Sequence, residues 1–353
     1  MTVKATFYAG ELRRELALRN RRWAQGRAHV ESYGSEPVIV YAPEHATGED
    51  PSDETCSKTQ RHGNFFDPAY AAIAARQEWM RRFDKVHAQG RSLPRAESGR
   101  RWRELDSSMS SDALLMNVFC TPGVAGSPAV RQALGVDTDA VPEFGWKARV
   151  PLAAGRFDRT EVDMRWGSLL VEAKLTEGDF QTRAAVIVEC YRDFDTVFDR
   201  ELLPRVELVL ARRRQAVEFP EEFTQEWEHV SDVEAATEVA SEFQAGIVAR
   251  AWGAAPVEPA YASYQLIRNV LAAYAAGCSF CVIHDARRPD LREAWFEVMA
   301  AVKSAEMRVR LRVLTWQELA ELLPEELQEF LDCKYGINGA GRIALQVGDL
   351  NAE

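Results

Sequence analysis

Two carboxylates and an ammonium stand close together in Arg159-Thr160-Glu161-Val162-Asp163-Met164-Arg165-Trp166-Gly167-Ser168-Leu169-Leu170-Val171-Glu172-Ala173-Lys174. Glu172 and Lys174 are separated by a single residue, which on a β-strand sets them on one face. Asp163 precedes them across a Gly167-Ser168 turn, so a hairpin pairing brings its carboxylate beside that face. Three ionisable groups then converge among Leu170, Val171 and Ala173, apolar neighbours beside which an unpaired buried charge is costly.

Phosphodiester hydrolysis needs such a group. Oxygen ligands hold a hard divalent cation that polarises the phosphate and activates water, and a nearby cation meets the developing negative charge. Mg²⁺ keeps several waters and needs one or two carboxylates, so Asp163 and Glu172 suffice, with the Ala173 carbonyl as a third ligand and Mn²⁺ as a substitute. Lys174 would orient or deprotonate the attacking water, or stabilise the pentavalent phosphate; its neighbours leave these roles open. The bare spacing is weak as a motif, and its placement on a predicted hairpin gives it weight. Asp112 and Glu143 could add further acidic groups to the site, but both read better as ordinary solvated residues. The six histidines, His29, His45, His62, His87, His229 and His284, form no metal-spaced pair and no nucleophile-base arrangement.

The elements around this hairpin read as a mixed α/β domain. Residues 8–24 suggest a basic helix, 34–66 a loop, and 69–89 a helix with Ile73, Trp79, Met80 and Phe83 on its apolar face. Residues 107–119 begin with serines suited to capping and put Leu114, Leu115, Val118 and Phe119 on one helical face, ending at Thr121-Pro122-Gly123. After a turn-rich stretch, WKARVPL, RTEVDMRW and SLLVEAKL form a three-stranded meander. Long amphipathic patterns, FQTRAAVIVECYRDF and DVEAATEVASEFQAGIVARAW, predict inserted helices across 178–255. A helix ending at Gly277 feeds the apolar strand SFCVIH, the half of a crossover unit that builds parallel pairing. Another helix over 290–304 precedes MRVRLRVLTW, where Val309, Leu311 and Val313 alternate with arginines as in a strand, and Thr315 with Glu318 makes a capping box.

Bulk properties narrow the alternatives. The 353 residues, 46% hydrophobic and 27% charged, fit a globular chain with a sizeable core. No apolar run approaches the roughly 20 residues of a membrane span, and the N-terminus lacks a signal peptide's apolar core, so a cytoplasmic protein with no membrane partner is expected. Six scattered cysteines predict free thiols, and Cys278-x-x-Cys281 lacks a second pair at zinc spacing, which favours packing. The net charge of −11 opposes non-specific attraction to nucleic acid, so any such binding needs a local basic patch. Candidates are Arg13, Arg14, Arg19, Arg21 and Arg22, then Arg100, Arg101 and Arg103, then Arg212 to Arg214, though any one of these clusters reads better as a solvated helix face.

A helix, a meander carrying Asp and Glu-x-Lys, then a helix and a strand resembles the core of the PD-(D/E)XK nuclease superfamily, and Glu172-Ala173-Lys174 matches its central motif. SSDALLMNVF, RTEVD with VEAKLTEGDF, YQLIRNV, and TWQEL with LDCKYGI are similar to a group of bacterial restriction-endonuclease-like proteins. Val162-Asp163 stands where the superfamily has proline-aspartate, which keeps the carboxylate. The resemblance implies a restriction-endonuclease-like core over 105–337, a mixed sheet flanked by helices. An N-terminal helical elaboration (1–104), the helical insertion about 178–255 and a tail (338–353) complete the division. It further implies Mg²⁺-dependent cleavage of DNA and a role in defence against foreign DNA. Glu177, just past the strand, either reaches the metal or DNA or caps the following turn. Gln265 and Arg268 lie on the helix where the superfamily places polar residues toward the phosphate, though a surface-facing role is as consistent with the pattern. A homodimer would suit double-strand cutting, and a partner subunit would have to supply any ATP-driven step, because no P-loop is present. The alternative is a catalytically silent nuclease fold that binds nucleic acid or protein.

Overall fold

The computed structural model describes residues 3–25, 28–31, 38–41, 62–86, 103–209 and 257–339. Its centre is a five-stranded mixed sheet made of β3 (Glu143–Lys147), β6 (Glu161–Trp166), β7 (Leu169–Ala173), β11 (Ser279–His284) and β12 (Leu311–Thr315), in the order β12-β11-β7-β6-β3. β3, β6 and β7 are antiparallel, as the meander predicts, while β11 runs parallel to both β7 and β12. Between them lie the short pair β4 (Val150–Pro151) and β5 (Phe157–Asp158), and away from the sheet β1 (Ala28–Glu31) pairs with β2 (Val38–Tyr41). A three-stranded sheet has β10 (Val257–Tyr261) between β8 (Arg183–Ala184) and β9 (Arg205–Val209).

The helices are α1 (Val3–Ala24), α2 (Asp67–Ala74), α3 (Gln77–Met80), α4 (Ser111–Phe119), α5 (Pro128–Leu134), α6 (Ala185–Val188), α7 (Phe194–Val197), α8 (Tyr264–Ala276), α9 (Pro289–Ala301), α10 (Ala305–Arg308), α11 (Trp316–Ala320) and α12 (Glu325–Tyr335). α8 and α9 cover one face of the central sheet, where Leu170, Phe280 and Val282 pack with Ile267, Val270 and Trp295. α1, α4, α5, α11 and α12 cover the other, where Met164, Val171 and Ile283 pack with Leu16, Leu115, Leu134, Leu319 and Phe330. Strands covered on both faces are buried along their whole length, which is why LLVEA and FCVIH are apolar runs rather than alternating ones. Gly167 takes φ 59°, the left-handed conformation that lets β6 turn directly into β7. None of the helices among the described residues is long and apolar enough to cross a membrane.

Several sequence expectations need correction. The helix expected over 69–89 is broken into α2, α3 and a 3₁₀ turn at Arg81–Asp84, with Val86 bridged to Arg103. The turn-rich stretch before β3 contains α5, whose signals were in the sequence: Ser127 caps it, Pro128 opens it and Gly135 closes it. FQTRAAVIVECYRDF is not one inserted helix but β8, α6 and α7, because Arg183 and Ala184 pair with β10. The second insert pattern, 232–252, lies outside the described residues. β2 lies inside the stretch read as a loop. Val309 precedes the last strand and is 79% exposed, its segment 305–308 being helical. The α8 and β11 boundaries, the Thr315 capping box and the burial of Cys278 and Cys281 as free thiols agree with the sequence reading. Burial pushes the Cys281 thiol up to about 12, the mark of a packing residue rather than a metal ligand.

Candidate active site

β6 and β7 pair from Trp166↔Leu169 back to Met164↔Val171, and the ladder ends there. Asp163 and Glu172, which continue the register by one position, therefore face each other where the strands part. Instead of a strand partner, the Ala173 N–H donates to Asp163 Oδ2 at 2.8 Å. Glu172 is almost fully buried on the α8 side of the sheet, with Lys174 Nζ donating to its Oε1 at 2.6 Å and Asn269 Nδ2 to its Oε2 at 2.6 Å. The Lys174 backbone is fixed on both sides: its N–H donates to the Ile283 carbonyl (2.9 Å) and its carbonyl accepts the Trp316 indole N–H (3.0 Å). Its ammonium lies 5.6 Å from the centre of the Phe180 ring.

A second acidic group approaches from α4. Ser110 caps this helix, and Asp112 in its first turn is buried, against the expectation of a solvated acid. Arg82 reaches it from the 3₁₀ turn, with Nη2 2.7 Å from Asp112 and Nη1 2.9 Å from Glu161. Lys85 lies 3.5 Å from Asp112 and 3.8 Å from Glu161. Glu143 is exposed, as expected.

Gly145, opposite Asp163 in β3, makes room for this arrangement. Its φ is +64°, and a Cβ there would come within 2.3 Å of the Arg82 guanidinium and 2.7 Å of Glu161. Gly145→Ala is accordingly expected to lower stability by about 2 kcal/mol or more, the left-handed backbone alone costing about 1–2 kcal/mol for an L residue. Urea unfolding of the two proteins checks it, and an unchanged midpoint would mean that Arg82 moves aside freely.

The charges sort themselves by environment. Burial, with Glu172 and Asp112 nearby, pushes the Asp163 carboxyl up to about 8, despite Lys174 and the Ala173 N–H. Burial works against charge on Lys174, yet Glu172, Glu177 and Asp163 more than offset it and raise its proton affinity, so the amine is an ammonium at neutral pH. Burial likewise opposes charge on Asp112, and Arg82 and Lys85 overcome it and hold that carboxyl below its usual range. Asp163 is thus the carboxylate left short of positive charge.

Of the secondary candidates, Glu177 caps the turn: it accepts the Leu175 N–H at 2.6 Å and the Ser111 hydroxyl. Arg268 is buried, donating to the Glu161 carbonyl (2.8 Å) and Asn269 Oδ1 (2.7 Å), so it orders the neighbours of the site and does not face an open surface. Gln265 lies one turn before Asn269 on the same side of α8, and its Oε1 is buried with no hydrogen-bond partner. Sequence reasoning missed Asn269, although its spacing of four from Gln265 was a signal. It also missed Arg288, which is wholly buried and whose donors go to the carbonyls of Leu175, Glu177 and Gly178 and to Asp290. All five guanidinium N–H groups are thereby used, fixing the turn that follows Lys174.

Among the described residues no three His, Cys, Asp or Glu side chains gather as a metal cluster. The hard oxygen donors where the strands part are the Asp163 and Glu172 carboxylates, a pair that fits a divalent ion keeping part of its water shell. Burial beside Glu172 and Asp112 makes Asp163 hold its proton, and a divalent ion at the strand ends would take that proton's place.

Comparison with curated proteins found no match, and comparison with solved structures found none. Residues 27–336 match the family described as Restriction Endonuclease associating with ARP, a span that takes in the whole central sheet and every residue of the site. The chain belongs to this restriction-endonuclease family.

Proposed function

We propose that the chain is a metal-dependent endonuclease that hydrolyses DNA phosphodiester bonds from a restriction-endonuclease-like core. The observation that carries this reading is the meeting of Asp163, Glu172 and Lys174 where β6 and β7 part. Asp163, Glu172 and the Ala173 carbonyl would hold Mg²⁺, or Mn²⁺ in its place. When bound, the ion supplies the positive charge that polarises the phosphate and favours ionised water. Lys174 is the second cation, facing the charge that builds on the phosphoryl oxygens; as an ammonium it acts as donor and counter-charge rather than as base. Asn269 orients Glu172, and the free Oε1 of Gln265 offers an acceptor to water or substrate at the same side of α8. A role in defence against foreign DNA, in the cytoplasm, is part of this reading, and the family's restriction-endonuclease description supports its restriction-like side. Its description also supports a partner for this chain, and two copies would serve double-strand cutting.

The test is incubation of phage and plasmid DNA with the purified chain in Mg²⁺, Mn²⁺ or EDTA. Cutting in either ion and none in EDTA is expected. No cutting in any ion, with or without the partner, would overturn the nuclease and leave a silent nuclease fold used for binding.

A further inference from the structure

We propose that the outward face of the β4–β5 hairpin, built from Arg149, Phe157 and Arg159 with Arg156 in its turn, seats the phosphate backbone of the DNA entering the site. The inference rests on the nuclease reading and adds where the substrate lies.

Val150 pairs with Asp158 and Pro151 with Phe157. Val150 and Asp158 are buried on one side, while Arg149, Phe157 and Arg159, which the alternation sets on the other side with the covered Pro151, are exposed. Continuing the register by one pair sets Arg149 opposite Arg159. Like charges directly opposite on a strand pair destabilise it, and here no carboxylate among the described residues relieves them. Arg149 instead lies over the ring of Phe157, 4.5 Å from its centre, and Phe157 is itself 39% exposed. The ring holds the guanidinium in place without neutralising it, which leaves its donors free for an anion. Arg156 and Lys147 are exposed as well. In a chain of net charge −11 this is a local concentration of unpaired cations, the feature that phosphate recognition requires.

Placement agrees with charge. The hairpin leads directly into β6, and Arg159 stands four residues before Asp163, a distance of about 13 Å in extended chain. Duplex DNA rises about 3.4 Å per step, so a strand cut at Asp163 passes the arginines about four steps away. Phosphate contacts of this kind set position and carry no base preference.

The full chain is tested in EDTA, where binding is separated from cutting. Fluorescence anisotropy with a short DNA duplex is recorded as salt rises from about 50 to 200 mM. Arg149→Ala and Arg159→Ala should each lower the slope of log affinity against log salt by about 0.9. Arg149→Glu with Arg159→Glu should weaken binding at least about tenfold at low salt. Lys303→Glu, a single charge reversal on an exposed residue after α9 and outside the hairpin, should leave affinity and slope at the wild-type values. Unchanged affinity and slope in the double variant, or an equal loss in Lys303→Glu, would overturn the proposal, as would wild type that binds no DNA. If wild type cuts DNA while the double variant binds normally, the surface is wrong and the nuclease stands. If binding depends on the arginines but nothing is cut, the surface stands and the nuclease reading fails.

Discussion

Lys174→Ala is expected to reduce DNA cleavage by at least about 10²–10³-fold, the usual cost of removing one preorganised donor from a developing charge. The expectation comes from how completely the lysine is fixed. Its backbone is bonded on one side to Ile283 and on the other to Trp316, and its ammonium is held by Glu172. An amine so placed needs no reorganisation when charge develops in front of it. Alanine also removes the counter-charge of a buried carboxylate, so some loss of stability accompanies the loss of rate. Lys174→Gln separates the two effects, because its amide still donates to Glu172 but carries no charge. Activity measured with both variants, alongside their unfolding midpoints, decides the matter. Wild-type cutting by Lys174→Gln would remove the charge of Lys174 from the chemistry, while a large loss in a variant as stable as wild type assigns that charge to the reaction.

The strands that carry this site were legible in the sequence because local chemistry specifies them. Glycine at 167 permits the turn, Glu161 to Trp166 alternates half-buried with buried, and Gly277 followed by SFCVIH announces a helix feeding a central strand. What escaped is what depends on distant partners. Asp112 reads as an ordinary surface acid until Arg82, thirty positions away, is brought against it. The arginines at 149 and 159 form no charge run, and only the β4–β5 register places them side by side. β8 has two residues and reads as part of a helix, since its strand character comes from pairing with β10 across the 210–256 segment. The basic runs that drew attention first are partly spent on structure: Arg14 pairs with Glu11, and Arg19 pairs with Glu15 and bonds the Asp332 carbonyl.

Arg82→Ala should be the most destabilising change near the site, by about 3–5 kcal/mol, because it leaves Asp112 buried without its main partner. Arg82 is itself only 6% exposed, and its two nitrogens bridge the start of α4 to the start of β6. Lys85, at 3.5 Å from Asp112, offsets part of the loss but contributes a single flexible charge where Arg82 offers a planar fork. Arg82→Lys should therefore fall between alanine and wild type. Replacing both partners, Arg82→Met with Asp112→Leu, should cost less than Arg82→Ala alone, since the penalty arises from stranding a charge more than from losing an attraction. Urea midpoints of the four proteins measure these differences. A loss under about 1 kcal/mol in Arg82→Ala would mean that Asp112 takes a proton or finds water and that the bridge holds little. The same series reaches the chemistry. Asp112 is one of the charges that raise the Asp163 proton affinity, and Arg82 is what screens it. Removing the arginine while Asp112 stays ionised strengthens that repulsion, so Asp163 holds its proton to higher pH and releases it less readily to a divalent ion. Mn²⁺ binding at neutral pH should weaken in Arg82→Ala and recover in the Arg82→Met, Asp112→Leu pair, a reversal that a purely structural bridge would not produce.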